Sequence, residues 1–371
     1  MESYFLLSPE GRSLMSTVYA DHGSEQFNAR MHDVSLRIGA DVEQALGSNF
    51  VALILGGGYG RGEGGVVRID GVEQPYNDLD FTLIVRRKNS VPWNKLDAIS
   101  EHYEEEIHID VDFSRPLAIH DIETWPHWLM WYDLLNGHIV IKGPPDILIA
   151  HAPVALKKTL PAIEATRLVL NRGAGLLWAL RVVRGVEKKP DADFTRRNYY
   201  KCILAMGDGL LIAYEHFATP YRGRDDRLTR LEADAPKVAA FKLGALYHEA
   251  LRFKFQPDAL PDTQIEEEQL KDLARRWGEI FLHIEKIRTG RNWVSLTEYS
   301  QWRGLREVEQ HSIKNLPRNL IRSKQMGIFS WKYPRERLYR QLPVLLGLTD
   351  QTVSDWPAES ARFLKIWDRF N

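Results

Sequence analysis

Two aspartates, Asp78 and Asp80, stand one residue apart in the run YNDLDFTLIV at 76–85. In an extended chain they leave the same face, roughly 7 Å apart at the backbone. Unpaired, they repel. A divalent cation removes that repulsion, and hard carboxylate oxygens suit Mg2+. A third carboxylate stands on a second alternating segment, IHIDVDFS at 107–114, as Asp110 or Asp112, with Asp110 slightly preferred. If the two segments are neighbouring strands, three carboxylates converge. Such a cluster can hold two Mg2+ ions, the arrangement for in-line displacement at phosphorus.

Upstream lies the glycine burst LILGGGYGRGE at 53–63. It is not a Walker loop, because no Gly-Lys-Ser/Thr comes after it. Gly60, Gly62 and Gly65 spell the dinucleotide fingerprint, but that pattern must open a helix. The next segment, VVRIDGVEQPYND at 66–78, is β-branched and turn-rich. The remaining reading is a loop whose backbone N–H groups cradle phosphates, just ahead of the strand carrying the carboxylates.

Periodicity gives the elements that must position these residues. Residues 24–46 predict a helix with Ser24 as N-cap and Phe27, Met31, Val34, Ile38, Val42 and Leu46 on one stripe. Residues 49–55 predict a short buried strand. In 78–85, Leu79, Phe81, Leu83 and Val85 face one way, while Asp78, Asp80 and Thr82 face the other. A helix over 93–106, a strand over 107–114, a helix near 120–135 and a strand over 138–143 complete a small mixed sheet. The four-proline stretch 142–161 reads as a connection, with a short helix over 146–150 inside it. Beyond it the patterns are helical, at 162–186, 195–217 and 265–287. The expected fold is α+β: an N-terminal domain over 1–150 and a helical domain over 151–371.

Bulk properties bound the function. The 371 residues are 44% hydrophobic and 27% charged, ordinary for a globular chain. No run is long and apolar enough to span a bilayer. The N-terminus does not read as a signal peptide. The single cysteine, Cys202, excludes an internal disulfide and a cysteine-built zinc site, and points to the cytoplasm. Residues 1–150 carry 11 basic and 23 acidic residues, and the remainder 38 and 27. An acidic half and a basic half suit two domains bracketing a polyanion with its metal ions, or simply an attractive interface.

Taken together, these residues resemble the nucleotidyltransferase superfamily that includes DNA polymerase β, poly(A) polymerases and the antibiotic nucleotidyltransferases. Its signature is a Gly-Gly or Gly-Ser pair, a gap, two aspartates alternating with hydrophobics, and a later acid on a strand. Gly57 and Gly58 match the pair, NDLDF supplies Asp78 and Asp80, and HIDVDF supplies the third acid. The resemblance covers roughly residues 45–145. It implies that Asp78, Asp80 and Asp110 (or Asp112) hold Mg2+ and that the third acid helps deprotonate the acceptor. It further implies that Gly57, Gly58 and Arg61 hold the β- and γ-phosphates of ATP or another nucleoside triphosphate. Two departures stand out. Gly58 replaces the serine of many members, and the gap before Asp78 is long enough for an extra hairpin.

In such proteins a following helical domain closes over the nucleotide. Lys201, sharing a helix face with Asp208, is a candidate triphosphate contact, and Arg172 has the same status. Either also reads as an ordinary surface residue near an interface. Residues 314–340 interleave Lys314, Arg318, Arg322, Lys324, Lys332, Arg335, Arg337 and Arg340 with Phe329, Trp331, Tyr333 and Tyr339. That composition suits single-stranded nucleic acid, or amphipathic helices with buried aromatics. No HExxH spacing exists; His102 and His108 do not read as a zinc site, and His120 and His127 read as structural. The expected activity is Mg2+-dependent transfer of a nucleoside monophosphate, AMP from ATP, to a hydroxyl on a small molecule, protein or RNA. Two rivals are an inactive binding module of the same fold and a nucleic-acid binder acting through 314–340.

Overall fold

The computed structural model describes residues 17–307, 315 and 332–370. The chain divides into two compact units: one comprises residues up to 126, 130–155 and 255–260, the other 127–129, 156–254 and 261 onward.

The first unit is built on a four-stranded mixed sheet. Helix α1 (Glu25–Leu46) opens it, and the Ser24 hydroxyl accepts from the Phe27 amide at 3.1 Å, the expected cap. Strand β1 (Phe50–Leu55) follows, then the single helical turn α2 (Gly57–Gly60). Strands β2 (Val66–Ile69) and β3 (Val72–Pro75) form a separate hairpin. It turns on Asp70 and Gly71, both at positive φ, which is the conformation an Asp-Gly hairpin turn demands. Strand β4 (Leu79–Val85), helix α3 (Trp93–Ile107) and strand β5 (Val111–Phe113) form a parallel crossover. After α4 (Ile119–Glu123) and α5 (Leu129–Asn136), strand β6 (Ile139–Lys142) closes the sheet, and α6 (Ile147–His151) follows. The strand order is β5-β4-β1-β6, with β1 antiparallel to both its neighbours.

Period-2 alternation sorts the faces. Leu53, Leu55, Leu79, Phe81, Leu83, Val85 and Val111 join Phe27, Met31, Val34, Ile38 and Val42 of α1 and Leu96, Tyr103 and Ile107 of α3 in one core. Asp80 and Asp112 therefore leave the opposite face. On that face Ala52, Ile54, Thr82 and Ile84 are buried, so of β4 only Asp80, near its start, is exposed.

The second unit is helical, with α7 (Ala162–Val183), α8 (Phe194–Ala213), α9 (Arg224–Asp234), α10 (Pro236–Ala239), α11 (Gly244–Phe255), α12 (Glu267–Thr289) and α13 (Leu296–Gln301). Helices Arg335–Leu345 and Trp356–Phe370 follow. The fold is thus α+β, with an N-terminal mixed sheet and a helical C-terminal region. Among the described residues no helix is long and apolar enough to cross a membrane.

The structure differs from expectation at three elements. The strand expected over 107–114 shrinks to three residues, because α3 runs to Ile107 and ends with His108 in the left-handed region. The helix near 120–135 is two helices, broken around Pro126. On α8, Lys201 and Asp208 share no environment: Lys201 is exposed and Asp208 is buried. A common helical face means little on α8, where every residue from Cys202 to Ile212 is buried.

Candidate metal centre

Three carboxylates meet where β4 and β5 begin. Oxygens of Asp78, Asp80 and Asp112 lie within 4.8 Å of one another, and all three residues are exposed. The register explains the convergence. β4 and β5 are adjacent and parallel, with Leu79 opposite Val111 and Asp80 opposite Asp112. Neighbouring strands lie about 4.8 Å apart, so directly opposed carboxylates on one face must meet. Asp78 joins them from the residue before β4.

Asp110 is not in the group. It precedes β5, and its carbonyl accepts the Leu79 amide at 2.9 Å. Of the two alternatives, the pairing register thus groups Asp112, and not the slightly preferred Asp110, with Asp78 and Asp80. Asp110 still acts at a distance. Burial, then the charges of Asp78, Asp110 and Glu104, push the Asp112 carboxyl above its usual range.

The donor set suits a hard divalent cation. Oxygens around one Mg2+ span up to about 4.2 Å, from its metal–oxygen distance of about 2.1 Å. Side-chain rotations would be needed to bring these three oxygens onto one such ion. Among the described residues this is the one acidic, histidine or cysteine group able to hold a metal, and His102, His108, His120 and His127 form none.

The glycine loop is built against these carboxylates. Gly57 has φ +61°, and a Cβ there would sit 2.2 Å from Asp80 Oδ2. The Gly56 amide donates to the Asp80 carbonyl at 2.9 Å, so loop and carboxylate strand are tied at the backbone. Gly58 is different: a Cβ there meets the Glu63 carbonyl at 3.4 Å and the Gly64 Cα at 3.5 Å, ordinary contacts. Gly57→Ala should thus turn Asp80 out of the group and weaken divalent-cation binding by about tenfold or more, since rotating away is its easiest relief. Gly58→Ser should fold and bind as the native chain does. Cation titration and thermal unfolding of the two variants compare these effects directly.

Tyr59 and Asn77 pin the rest of the loop, and sequence reading gave neither a role. The buried Tyr59 hydroxyl donates to the Gly65 carbonyl at 2.6 Å and accepts the Tyr76 amide at 3.0 Å. Asn77 Oδ1 accepts the Gly65 amide at 3.0 Å. Both ends of the β2–β3 hairpin are thereby clamped beside Asp78. A Cβ on Gly64 would overlap the Tyr59 ring, so the ring and the glycine require each other. The only sequence signal was a tyrosine inside a glycine run.

Arg61 is the C-cap of α2, in the glycine loop itself. Arg61 lies 3.5 Å from buried Glu63 in an ion pair. Lys201 is on α8 in the helical unit, as Arg172 is on α7. Of the basic stretch 314–340, Lys314, Arg318, Arg322, Lys324, Phe329 and Trp331 lie outside the described residues. In the described part, Arg335 pairs with Glu307 at 3.2 Å, Arg340 donates to the Ser300 carbonyl at 3.0 Å, and Tyr339 is buried. Those groups serve the helical unit's own packing.

No family model and no curated protein matches this sequence. Among solved structures the chain is similar to a nucleotidyltransferase-like protein from Exiguobacterium sibiricum, at 13% identity and a TM-score of 0.23. The match covers 79% of this chain and 92% of that one. A likeness of that size transfers no chemistry; the carboxylate geometry stands on its own.

Proposed function

We propose that this chain is a divalent-metal-dependent nucleotidyltransferase, moving a nucleoside monophosphate (AMP from ATP) onto a hydroxyl acceptor with release of pyrophosphate. The observation that carries this reading is the convergence of Asp78, Asp80 and Asp112 beside the glycine loop.

Asp78, Asp80 and Asp112 hold Mg2+. When bound, the metal neutralises triphosphate charge and polarises the phosphorus under attack. Gly57 and Gly58 allow phosphates to approach the backbone next to the carboxylates. Asp112, as the third acid, takes the proton of the acceptor hydroxyl. The acceptor oxygen then bonds to the α-phosphorus, the bond from that phosphorus to the β-bridging oxygen breaks, and pyrophosphate departs with the electron pair. Gly58 offers no hydroxyl, so its contribution to phosphate binding is from the backbone.

Calorimetric titration with each of the four ribonucleoside triphosphates, with and without Mg2+, tests the proposal. Magnesium-dependent binding of one or more is the expected result. Binding of none, under conditions where the chain is folded, overturns it.

A further inference from the structure

Strand β5 lies at one edge of the sheet and is only three residues long. An edge strand presents outward backbone groups that need partners when they are partly buried. Asp110, before it, turns its carbonyl inward to Leu79. Val111, next along, turns its N–H and C=O outward, toward α3. Both are met by one face of that helix. The Val111 amide donates to Glu104 Oε1 at 3.0 Å. The Ser100 hydroxyl donates to the Val111 carbonyl and lies 3.3 Å from the same Glu104 oxygen. Ser100 and Glu104 are four residues apart, so they present together.

A carboxylate spent on an edge-strand amide, near enough to Asp112 to act on it, has a cost in repulsion. Its charge is one of those that raise Asp112. An asparagine or glutamine would satisfy the amide without that charge. What Glu104 and Ser100 fix is the backbone of the residue immediately before Asp112, at the one element too short to hold itself in register.

We propose that Glu104 and Ser100 are positioning residues for the metal centre: they clamp Val111 so that Asp112, rather than its neighbour Asp110, faces Asp78 and Asp80. This rests on the metal-centre reading above and extends it to the helix behind the strand. Neither residue belongs to the carboxylate group itself.

Titration of Mn2+ by calorimetry, alongside thermal unfolding, tests the clamp in Glu104→Ala, Glu104→Gln and Ser100→Ala. Loss of an outer partner of a metal ligand typically weakens affinity by about 10-fold or more. Glu104→Ala is expected to show that loss. Glu104→Gln, which keeps an oxygen for the Val111 amide, is expected to return close to the native affinity. Ser100→Ala, the gentler change should Glu104→Ala fail to fold, is expected to weaken binding in the same direction. Native affinity in folded Glu104→Ala or Ser100→Ala overturns the clamp while leaving the metal centre standing. Glu104→Gln as weak as Glu104→Ala makes the charge, and not the clamp, responsible, and also overturns it. A native chain that binds no Mn2+ fails the metal-centre reading itself, and the clamp with it.

Discussion

Replacing Asp78 and Asp80 together by asparagine should abolish metal-dependent triphosphate binding and, on the proposed function, lower nucleotidyl transfer by about 10³-fold or more. The size comes from the chemistry. Metal charge stabilisation at a transferring phosphoryl group contributes several kcal/mol, and each 1.4 kcal/mol or so is tenfold in rate. Asparagine keeps the shape and removes the charge on which cation binding depends. Stability should move the other way. With no metal present, three exposed carboxylates within 4.8 Å repel one another. Neutralising two of them relieves that repulsion, so the double variant should melt no lower than the native chain in metal-free buffer. Added Mg2+ should raise the native melting temperature and leave that of the variant unmoved. Transfer that survives the double substitution would remove these carboxylates from the reaction.

Arg224→Met should cost the helical unit about 3–5 kcal/mol of stability, the usual result of stripping one partner from a buried ion pair. Arg224 is buried on α9 and donates from Nη1 to Asp208 Oδ2 of α8 at 2.7 Å. Its Nε donates to the Ala218 carbonyl at 2.9 Å, and its plane stacks on Tyr221, 3.8 Å from the ring centre. The other Asp208 oxygen accepts the Tyr247 hydroxyl of α11 at 2.6 Å. Burial and the Asp208 charge push the Tyr247 hydroxyl well above its usual range, so it stays a donor. Arg224→Met leaves a buried carboxylate with only that hydroxyl. Adding Asp208→Asn should recover part of the loss, because the stranded charge is gone. Urea unfolding of the two single variants and the double variant measures the coupling. A loss below about 1 kcal/mol in Arg224→Met would mean that the Asp208 carboxylate needs no cation where it sits.

What local pattern could specify, the sequence specified. The apolar stripe from Phe27 to Leu46 and the Ser24 cap define α1, because helical periodicity and capping are nearest-neighbour properties. An extra hairpin in the gap before Asp78 was legible from the length of that gap; its turn on Asp70 and Gly71 came from the structure. The pairing of Asp78 with Asp80 was legible too, since alternation along one strand needs no partner. The choice between Asp110 and Asp112 was not. Both share a face in an extended chain, and only the register of β5 against β4, with Leu79 opposite Val111, places Asp112 in the group. The clamp by Glu104 and Ser100, the Tyr59 brace and the contact of Gly57 with Asp80 are likewise long-range. The exposure of Lys201 beside the burial of Asp208 depends on what surrounds α8, which no single-helix pattern contains. Periodicity along one element decided which residues face together; packing between elements decided which of them meet.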